Sequence, residues 1–316
     1  MKCLYYKSDS YNPYENLAVE EFLFETLPTD TFVFYLWQNA RTVVIGRNQN
    51  AYLECQIDAL LSDGGKLARR NSGGGAVYHD KDNLNFTFIF NKENYDLQKD
   101  FKVISEALKE FDIKAEISGR NDITVDGKKI SGNAFLNIKN KVCHHGTLLV
   151  NVDTEKMAKY LKVDVEKLLK NGVKSVKSRV ANLKDLSKNM TIEGLSEALV
   201  RAIQKVFRPE IVEYILIPNL IEKVQRLSSD EHLFGANASF ISKASERFSW
   251  GKADVGFEIK GDKLEQLDIY TDSLETEAFV KIIEDLKNKS IGQIKNMSNE
   301  NNIYKSDIIS LIMRNI

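Results

Sequence analysis

The chain has 316 residues, of which 43% are hydrophobic and 28% are charged, a composition that excludes wholesale disorder and fibrous architectures. This length exceeds what one hydrophobic core usually organises, so we expect one large domain and a smaller one. Because 44 Lys and Arg residues nearly balance 45 Asp and Glu residues, no overall charge favours nucleic acid or an anionic membrane as a partner.

The N-terminus and the cysteines predict a cytoplasmic protein. Residues 1–9 contain no apolar core long enough for a signal peptide, and no later run approaches the roughly 20 apolar residues of a membrane-spanning helix. The three cysteines, Cys3, Cys55 and Cys143, have neither CxxC spacing nor an even count. We therefore expect a reduced compartment, no disulfide framework and no structural metal.

A strand is predicted at residues 2–6, and a helix with a strong start signal follows it. Asn12 suits the N-cap, Pro13 suits the first helical position, and Glu15 supplies the carboxylate of a capping box. The apolar positions that recur at helical spacing are Val19, Phe22, Leu23 and Leu27. This pattern predicts that Glu20 and its acidic neighbours Glu21 and Glu25 face solvent.

The rest of the first 210 residues mixes strands and helices without a regular βαβ rhythm. Strand patterns lie at 31–38, 42–46, 84–90 and 147–152, a hairpin with an Asp126-Gly127 turn at 122–138, and helical patterns at 53–61, 99–111, 154–170 and 191–207. This order predicts an α+β fold with a mixed, largely antiparallel sheet flanked by helices, and it excludes a Rossmann domain.

Beyond residue 245 the pattern of elements starts again. Two strands are predicted around Gly261-Asp262, and helical stretches follow at 274–287 and 301–314. We therefore predict a large domain of residues 1–245 and a small C-terminal α+β domain of residues 246–316.

The most informative segment is the stretch RRNSGGGAVYHD at residues 69–80. Its three consecutive glycines allow backbone N–H groups to approach an anion closely, and its arginines add charge-assisted hydrogen bonds. A flexible glycine-rich turn is the alternative, and the arginines together with His79 favour an anion site. The GxxxxGK[ST] spacing of a Walker A loop is absent.

The predicted hairpin carries a second group of polar residues. Because a hairpin brings its two arms together, Asp122 and Lys129 are predicted to lie close, as a metal ligand and a cation that face the same phosphate. That pair suits nucleotidyl transfer. A surface hairpin with solvated lysines is the alternative, and Ser131-Gly132 after Lys129 favours an enclosed site.

Two further segments leave alternatives open. His144 and His145 are adjacent on a predicted strand, so they point to opposite faces, make a poor chelate for one metal, and at most one faces a site. His145 is either that residue or a buried core histidine. The basic stretch 172–183 is either a solvated loop or a mobile loop that closes over a nucleotide or meets an acidic partner.

Together these segments resemble the lipoate-protein ligase A family. The motifs RRNSGGGAVYHD, NDI...KKISGNA, HHGTLLVNVD and SVKSRVANL occur in this order at compatible spacing, after an N-terminal NPYENLAVEEFL. The likeness covers residues 1–190 through these motifs, and more loosely the rest, which is similar to the accessory domain of two-domain ligases. It implies a lipoate- and ATP-binding catalytic domain with a mixed sheet like that of biotin ligases.

The resemblance also implies site residues. It makes Lys129 the catalytic lysine and places Asp122 on the phosphate side, as a catalytic residue and a Mg²⁺ ligand. The substrate- and nucleotide-binding residues that it implies are Arg70, Ser72, Gly73, Gly74, Gly75, Ala76, Val77, Tyr78, His79, Asn83, Asn121, Lys129, Gly132, His145, Gly146, Ser178 and Arg179. Ser72 stands where many members have Thr, and Lys177 where Arg is common; Lys cannot make the bidentate contact of Arg.

The activity that the resemblance implies depends on ATP. Lipoate is activated to lipoyl-AMP with release of pyrophosphate, and the lipoyl group passes to a lysine of the carrier domains of 2-oxoacid dehydrogenase complexes or of the glycine cleavage H protein. ATP, Mg²⁺ and lipoic acid are the expected ligands; nucleic acid and membranes are not expected partners. An apolar tunnel with strand residues such as Val44 and Phe86 is expected, and Lys174, Lys177 and Arg179 would meet the carrier.

Two other functions fit the same fold. A cysteine-dependent octanoyl- or lipoyl-transferase would need no ATP and would use Cys143, the only cysteine near a motif, as its nucleophile. His144 points away from Cys143 on a strand, and a buried structural cysteine is the alternative. A non-catalytic regulator that binds lipoate or a nucleotide is the second possibility, and the presence of Lys129 and Asp122 argues against it.

Overall fold

The computed structural model describes residues 1–118, 122–162, 180–210, 212–235, 242–297 and 302–316. The strands are β1 Lys2–Lys7, β2 Thr31–Trp37, β3 Thr42–Ile45, β4 Lys66–Arg69, β5 Val77–His79, β6 Asn83–Asn91, β7 Glu116–Ser118, β8 Asp122–Val125, β9 Lys128–Ile138, β10 Lys141–Leu149, β11 Val212–Tyr214, β12 Ser242–Phe248, β13 Gly251–Lys260 and β14 Lys263–Thr271. The α-helices are α1 Pro13–Thr26, α2 Ala51–Glu54, α3 Ile57–Ser62, α4 Leu97–Lys109, α5 Thr154–Tyr160, α6 Leu183–Leu186, α7 Ile192–Phe207, α8 Ile221–Leu227, α9 Asp230–Phe234, α10 Thr276–Leu286, α11 Ile291–Asn296 and α12 Ile303–Met313. Within these ranges no helix has the length and apolar character needed to cross a bilayer.

The strands form a large mixed sheet and two small sheets. The large sheet has the order β11-β1-β2-β6-β10-β9-β8-β7, in which β1 pairs with β11 and β2 in parallel and the other neighbours pair antiparallel. A small sheet of order β4-β3-β5 stands beside it, and the C-terminal sheet has the order β12-β13-β14. The predicted α+β class with a mixed, largely antiparallel sheet flanked by helices is confirmed.

Helices cover both faces of the large sheet. On one face, α4 and α7 bury Phe101, Ile104 and Leu108, which recur on one side of α4, against the aromatic side chains of the sheet. Each such side chain stabilises the fold by about 1.5–3 kcal/mol when it leaves water. On the opposite face, α1 packs Leu17 and Leu23 against a second cluster. The large sheet is therefore a two-sided scaffold with separate cores.

Helix α1 begins as predicted and departs from prediction at two acidic residues. Asn12 is the N-cap, its side chain accepts a hydrogen bond from the backbone of Tyr14 at 3.3 Å, and Pro13 follows. The expectation that Glu20 and Glu21 face solvent is wrong, because only 8% of Glu20 and 13% of the Glu21 side chain are exposed. Glu21 pairs with Lys223 and Arg226 of α8. Glu20 lies on the side of the helix that carries Leu17 and Leu23, toward the sheet.

Other element boundaries differ from those predicted. The helix expected at 154–170 ends at Tyr160, and residues 163–170 lie outside the described residues. The helix expected at 53–61 is two short helices, α2 and α3, separated at Cys55 and Gln56. The strand expected at 147–152 is the end of a longer one, β10, which begins at Lys141. The β8–β9 hairpin is confirmed, and its turn residues Asp126 and Gly127 have φ values of 51° and 74°, as a tight two-residue turn requires.

The C-terminal strands and helices have their own hydrophobic cluster. Helices α10, α11 and α12 pack on β12–β14 around Phe257, Phe279 and Ile308, which are all fully buried. The division of the chain at residue 245 stays a prediction, and strand β12 spans that position.

Candidate functional site

A cavity of about 940 Å³ brings together most of the predicted site residues. Its walls come from the large sheet, from the β4-β3-β5 sheet and from the C-terminal strands. The predicted residues that line it are Arg70, Gly74, Gly75, Ala76, Val77, Tyr78, His79, Asp122, Lys129, Gly132, His145 and Gly146. Motifs that are up to 76 positions apart in the chain, from Arg70 to Gly146, therefore surround one space.

The remaining predicted residues lie elsewhere. Ser72 and Gly73 do not line the cavity, although Oγ of Ser72 lies 2.7 Å from Nε2 of His145, which does. Asn83 donates its Nδ2 to Oδ1 of Asn85, which also lines the cavity. Asn121, Lys174, Lys177, Ser178 and Arg179 lie outside the described residues.

The glycine-rich loop between β4 and β5 is held in shape by Arg70. This guanidinium donates to the carbonyl oxygens of Val44 at 3.1 Å, Gly73 at 2.7 Å and Gly75 at 2.8 Å, and to Oγ of Ser72 at 3.1 Å. Burial lowers the pKa of Arg70 to about 10. Much of the guanidinium is thus committed to the loop backbone, so Arg70 shapes the anion cradle from below.

Arg69 does not line the cavity, although the sequence suggested that Arg69 and Arg70 both contact the anion. Its guanidinium donates to the carbonyl oxygens of Arg47, Gln49 and Leu233 at 2.8, 2.7 and 2.6 Å. The expectation that both arginines contact the anion is therefore corrected for Arg69, which ties β4 to α9.

Lys129 and Asp122 form the ion pair that the hairpin predicts. Nζ of Lys129 lies 2.8 Å from Oδ1 of Asp122, and about a third of each side chain is exposed. The register of the hairpin places Asp122 opposite Gly132. A Cβ on Gly132 would stand 2.9 Å from Nζ of Lys129, so this glycine leaves room for the lysine to fold back over its own strand.

His145, in the wall of the cavity, connects helix α1 to the glycine-rich loop. Its Nδ1 lies 2.9 Å from Oε2 of Glu20, and its Nε2 lies 2.7 Å from Oγ of Ser72. Burial alone would raise the pKa of Glu20, but His145 and the hydroxyl of Thr87 hold that pKa below its ordinary value. Glu20 was not among the site residues predicted from the sequence. The feature that could have indicated it is a carboxylate on the apolar side of α1.

His144 points to the opposite face of the sheet, as predicted for adjacent residues on a strand. Its Nδ1 lies 2.9 Å from Oδ2 of Asp100 on α4, and its Nε2 lies 3.1 Å from Oδ1 of Asn133 in the cavity wall. Burial raises the pKa of Asp100 well above its ordinary value and lowers that of His144 to about 3. Both groups are therefore neutral, with the Asp100 carboxyl donating to Nδ1 and Nε2 donating to Asn133.

His79 is also neutral, because burial and then the charge of Arg70 lower its pKa to about 3. The amide Nδ2 of Asn39 lies 3.1 Å from Nδ1 and donates to it, so Nε2 carries the hydrogen. Within the described part of the chain, neither Nε2 of His79 nor Nδ2 of Asn85 has a hydrogen-bond partner. Both residues line the cavity, and these two buried donors lie within its wall.

One part of the cavity wall is apolar. Leu17, Trp37 and Val44 contribute to it, as expected for Val44. Phe86 belongs instead to the cluster on the other face of the sheet, where it stacks edge-on against His144. The expectation for Phe86 is wrong because neighbouring residues of β6 alternate between faces, and Asn85 takes the cavity side.

The C-terminal strands close part of the cavity, which the sequence did not indicate. Phe248, Trp250 and Leu274 are among the lining residues. The backbone N–H of Gly74 donates to the carbonyl oxygen of Ser273 at 3.0 Å. The contact joins the glycine-rich loop to a segment about 200 positions later in the chain.

Cys143 is buried in the cluster that includes Trp37 and Val44, and it is not a lining residue of the cavity. Burial, followed by the charges of Glu20 and Asp100, raises the pKa of this thiol well above its ordinary value. A thiol in this environment is a poor nucleophile.

Comparison with known families gives a consistent result over nearly the whole chain. Residues 12–204 match the lipoyl protein ligase A/B catalytic domain, and residues 237–312 match the bacterial lipoate protein ligase C-terminus. A Psychrobacter cryohalolentis protein named lipoate-protein ligase A is 40% identical over 307 residues, which cover 93% of this chain and 89% of that protein.

Solved structures show the same fold. P. falciparum LipL1 in complex with lipoate has a TM-score of 0.86 at 29% identity, over 99% of both chains. A bi-partite lipoate protein ligase with its E2 lipoyl domain, from Thermoplasma acidophilum, has a TM-score of 0.63 at 26% identity, over 76% of this chain and 98% of that one. A lipoate-protein ligase A bound with ATP has a TM-score of 0.62 at 25% identity, over 74% and 98%.

Proposed function

This chain belongs to the lipoyl protein ligase A/B family, and on that premise we propose that it is an ATP-dependent lipoate-protein ligase. It activates lipoate to lipoyl-AMP with release of pyrophosphate. It then forms an amide between the lipoyl group and a specific lysine of a carrier, either a lipoyl domain of a 2-oxoacid dehydrogenase complex or the glycine cleavage H protein. Its site of action is the cytoplasm.

The main support for this proposal is the set of residues that line one cavity. The ion pair of Lys129 and Asp122 and the glycine-rich loop around Gly75 suit the phosphates of ATP, while Trp37 and Val44 suit an apolar acyl chain. A ligase that joins a nucleotide to a fatty carboxylate needs both surfaces in contact with one space. Solved relatives hold lipoate in one case and ATP in another.

In the first step the carboxylate of lipoate attacks the α-phosphorus of ATP and pyrophosphate leaves. Negative charge builds on the phosphoryl oxygens. Lys129 and the backbone N–H groups of the loop are already positioned to stabilise this charge electrostatically. No covalent intermediate with the enzyme is needed. Gly132 contributes by leaving space for the lysine side chain.

Asp122 fits the role of a Mg²⁺ ligand. Mg²⁺ prefers carboxylate oxygens and phosphates in its coordination sphere, and the partly exposed Asp122 lines the cavity beside Lys129. When bound, the ion would neutralise part of the charge on the phosphates. Asn121, the second residue of that motif, lies outside the described residues.

In the second step the amine of a carrier lysine attacks the mixed anhydride of lipoyl-AMP. That amine has a reference pKa of about 10.4 and must lose a proton before it attacks. The carboxylate of Asp122 and the phosphate of AMP are the two acceptors that fit the site. The basic residues Lys174, Lys177 and Arg179 are proposed to meet the carrier.

The decisive experiment measures pyrophosphate release from ATP with free lipoate and no carrier. Lys129→Ala should lower the rate by about 10²–10³-fold, as loss of a charge-stabilising group does. Lys128→Ala is the matched control, because Lys128 is the adjacent lysine on β9, is exposed and does not line the cavity. Equal effects of the two substitutions, or release that does not depend on lipoate, would contradict the proposal.

The cysteine-dependent transferase makes a different prediction in the same assay. It would show no lipoate-dependent pyrophosphate release, and acyl transfer from a carrier would be lost in Cys143→Ser. The buried position and raised pKa of Cys143 argue against it. A non-catalytic regulator would bind lipoate or nucleotide with the same affinity after Lys129→Ala and would release no pyrophosphate.

A further inference from the structure

We propose that Glu20, Cys143 and His145 form a binding site for one thiophilic divalent cation, of which Zn²⁺ and Cd²⁺ are the best fits. A carboxylate oxygen, the thiol sulfur and an imidazole nitrogen of these residues all lie within 4.8 Å of one another, and all three residues are buried. No such group of three was found elsewhere in the described part of the chain.

The fold places the three ligand atoms together by register. Cys143 and His145 are two positions apart on β10, so their side chains share the face that α1 covers. Glu20 projects from α1 onto that face and already lies 2.9 Å from Nδ1 of His145. His144 points to the other face and takes no part.

The chemistry of the donors selects the ion. A thiolate, an imidazole and a carboxylate are the ligands that zinc takes, and three protein ligands leave a fourth position for water, as in open zinc sites. Mg²⁺ and Ca²⁺ prefer oxygen ligands alone and would not compete here. Zinc bonds of about 2.0–2.3 Å require a small inward shift of the Cys143 sulfur and a slight separation of Nδ1 of His145 from Glu20.

The surrounding hydrogen bonds suit a metal-bound state. With Nδ1 of His145 on the ion, Nε2 carries the hydrogen and donates it to Oγ of Ser72, which is already 2.7 Å away. The hydroxyl of Thr87 donates to Oε2 of Glu20 at 2.7 Å and leaves Oε1 for the ion. The sulfur–metal bond forms as the S–H bond of Cys143 breaks, and the proton passes to solvent.

This site has a consequence that rests on the proposed function. His145 lines the cavity, so a bound cation would take Nδ1 from Glu20 and add positive charge beside the apolar wall. Micromolar zinc or cadmium is therefore expected to inhibit lipoate-dependent pyrophosphate release, while the Mg²⁺ that the reaction uses leaves this site empty.

The binding test needs no activity. The full-length protein, without nucleotide, lipoate or thiol reductant, is titrated with Cd²⁺ while the thiolate-to-metal charge-transfer absorption is followed. We expect one equivalent to bind with this absorption in the unchanged protein, and the absorption to be lost in Cys143→Ser. Cys55→Ser is the matched control, because Cys55 is also a free and buried cysteine but lies outside the cluster.

Absorption that persists in Cys143→Ser, or that disappears equally in Cys55→Ser, would overturn the proposal. Absence of the absorption in unchanged protein that is folded by circular dichroism would overturn it as well. Inhibition by Zn²⁺ is measured separately, and Cys143→Ser should keep its rate and lose its sensitivity to the ion. A protein that binds Cd²⁺ through Cys143 but releases no pyrophosphate would support the site and contradict the proposed function, so the two failures are distinguishable.

Discussion

The carboxylate of Glu20 lies 2.9 Å from Nδ1 of His145, and only 10% and 9% of the two side chains are exposed. Because an ionised carboxylate can only accept hydrogen bonds, Nδ1 carries a hydrogen and Nε2 faces Ser72. A residue of α1 thus sets the orientation of an imidazole on β10, which in turn supports the loop between β4 and β5.

Removal of the Glu20 carboxylate is expected to destabilise the fold. Glu20→Ala leaves Nδ1 of His145 and the hydroxyl of Thr87 buried without their partner, which costs about 1–3 kcal/mol of the free energy of unfolding. Glu25→Ala on the same helix is the control, because that side chain is half exposed and should change stability by less than about 0.5 kcal/mol. Urea denaturation of both variants checks this, and equal losses would contradict it.

The Asp100–His144 pair predicts an unusual pH dependence. Burial raises the pKa of Asp100, so the native state keeps a proton there that the unfolded chain loses above about pH 4. Burial lowers the pKa of His144, so below about pH 6.5 the unfolded chain binds a proton there that the native state lacks. The two contributions cancel between about pH 4 and 6.5, and the contribution of the pair to stability falls only as pH rises above about 6.5. Asp100→Asn can still donate to Nδ1 of His144 and binds no such proton. We expect this variant to be at least as stable as the unchanged protein at pH 7, to gain stability between about pH 4 and 6.5, and to lack the decline between about pH 6.5 and 8.

Free energies of unfolding across that pH range measure the effect, and Asp58→Asn, on the exposed side of α3, should leave the decline unchanged. A large loss of stability at pH 7 in Asp100→Asn alone would mean that the pair is an ion pair of carboxylate and imidazolium.

Two neighbouring glycines of the loop should respond differently to alanine. Gly74 has a φ of 89°, and a Cβ there would stand 3.1 Å from Nη2 of Arg70. Gly74→Ala is therefore expected to cost about 1–3 kcal/mol through backbone strain. Gly75 is not in the positive-φ region, and a Cβ there meets no atom within 4 Å. Gly75→Ala should leave the thermal unfolding midpoint nearly unchanged, and similar shifts in both variants would contradict the argument.

The sequence predicted features that depend on local rules and missed those that depend on distant contacts. The Asp126-Gly127 turn and the start of α1 follow from neighbouring residues, so the hairpin and the Asp122–Lys129 pair could be predicted. The burial of Glu20 follows from the position of His145, 125 residues later, which helical periodicity does not encode. The side of the sheet taken by Phe86 required the strand register.

The glycine-rich loop contacts the C-terminal segment, for which the resemblance to the lipoate-protein ligase A family implies a movement between the two half-reactions. The N–H of Gly74 donates to the carbonyl oxygen of Ser273 at 3.0 Å, and Cα of Leu274 would lie 3.0 Å from a Cβ on Gly73. Two further contacts join the same regions: the N–H of Thr271 donates to the carbonyl of Asn48 at 2.8 Å, and Arg47 pairs with Glu277. A phosphate that used the N–H of Gly74 would have to replace Ser273.

We therefore expect the C-terminal strands and helices to be displaced relative to the large sheet when lipoyl-AMP is bound. A non-hydrolysable analogue of this adenylate should change the X-ray scattering profile and slow exchange of the Gly74 amide, since a phosphate would hold that N–H more firmly than a carbonyl. Glu277→Lys reverses the charge opposite Arg47 and should shift the unliganded profile toward the liganded one, whereas Glu265→Lys, near the end of β14 opposite to Thr271, should not. Identical profiles with and without the analogue would show that the reaction proceeds with Ser273 in place and that the phosphate uses other donors of the loop.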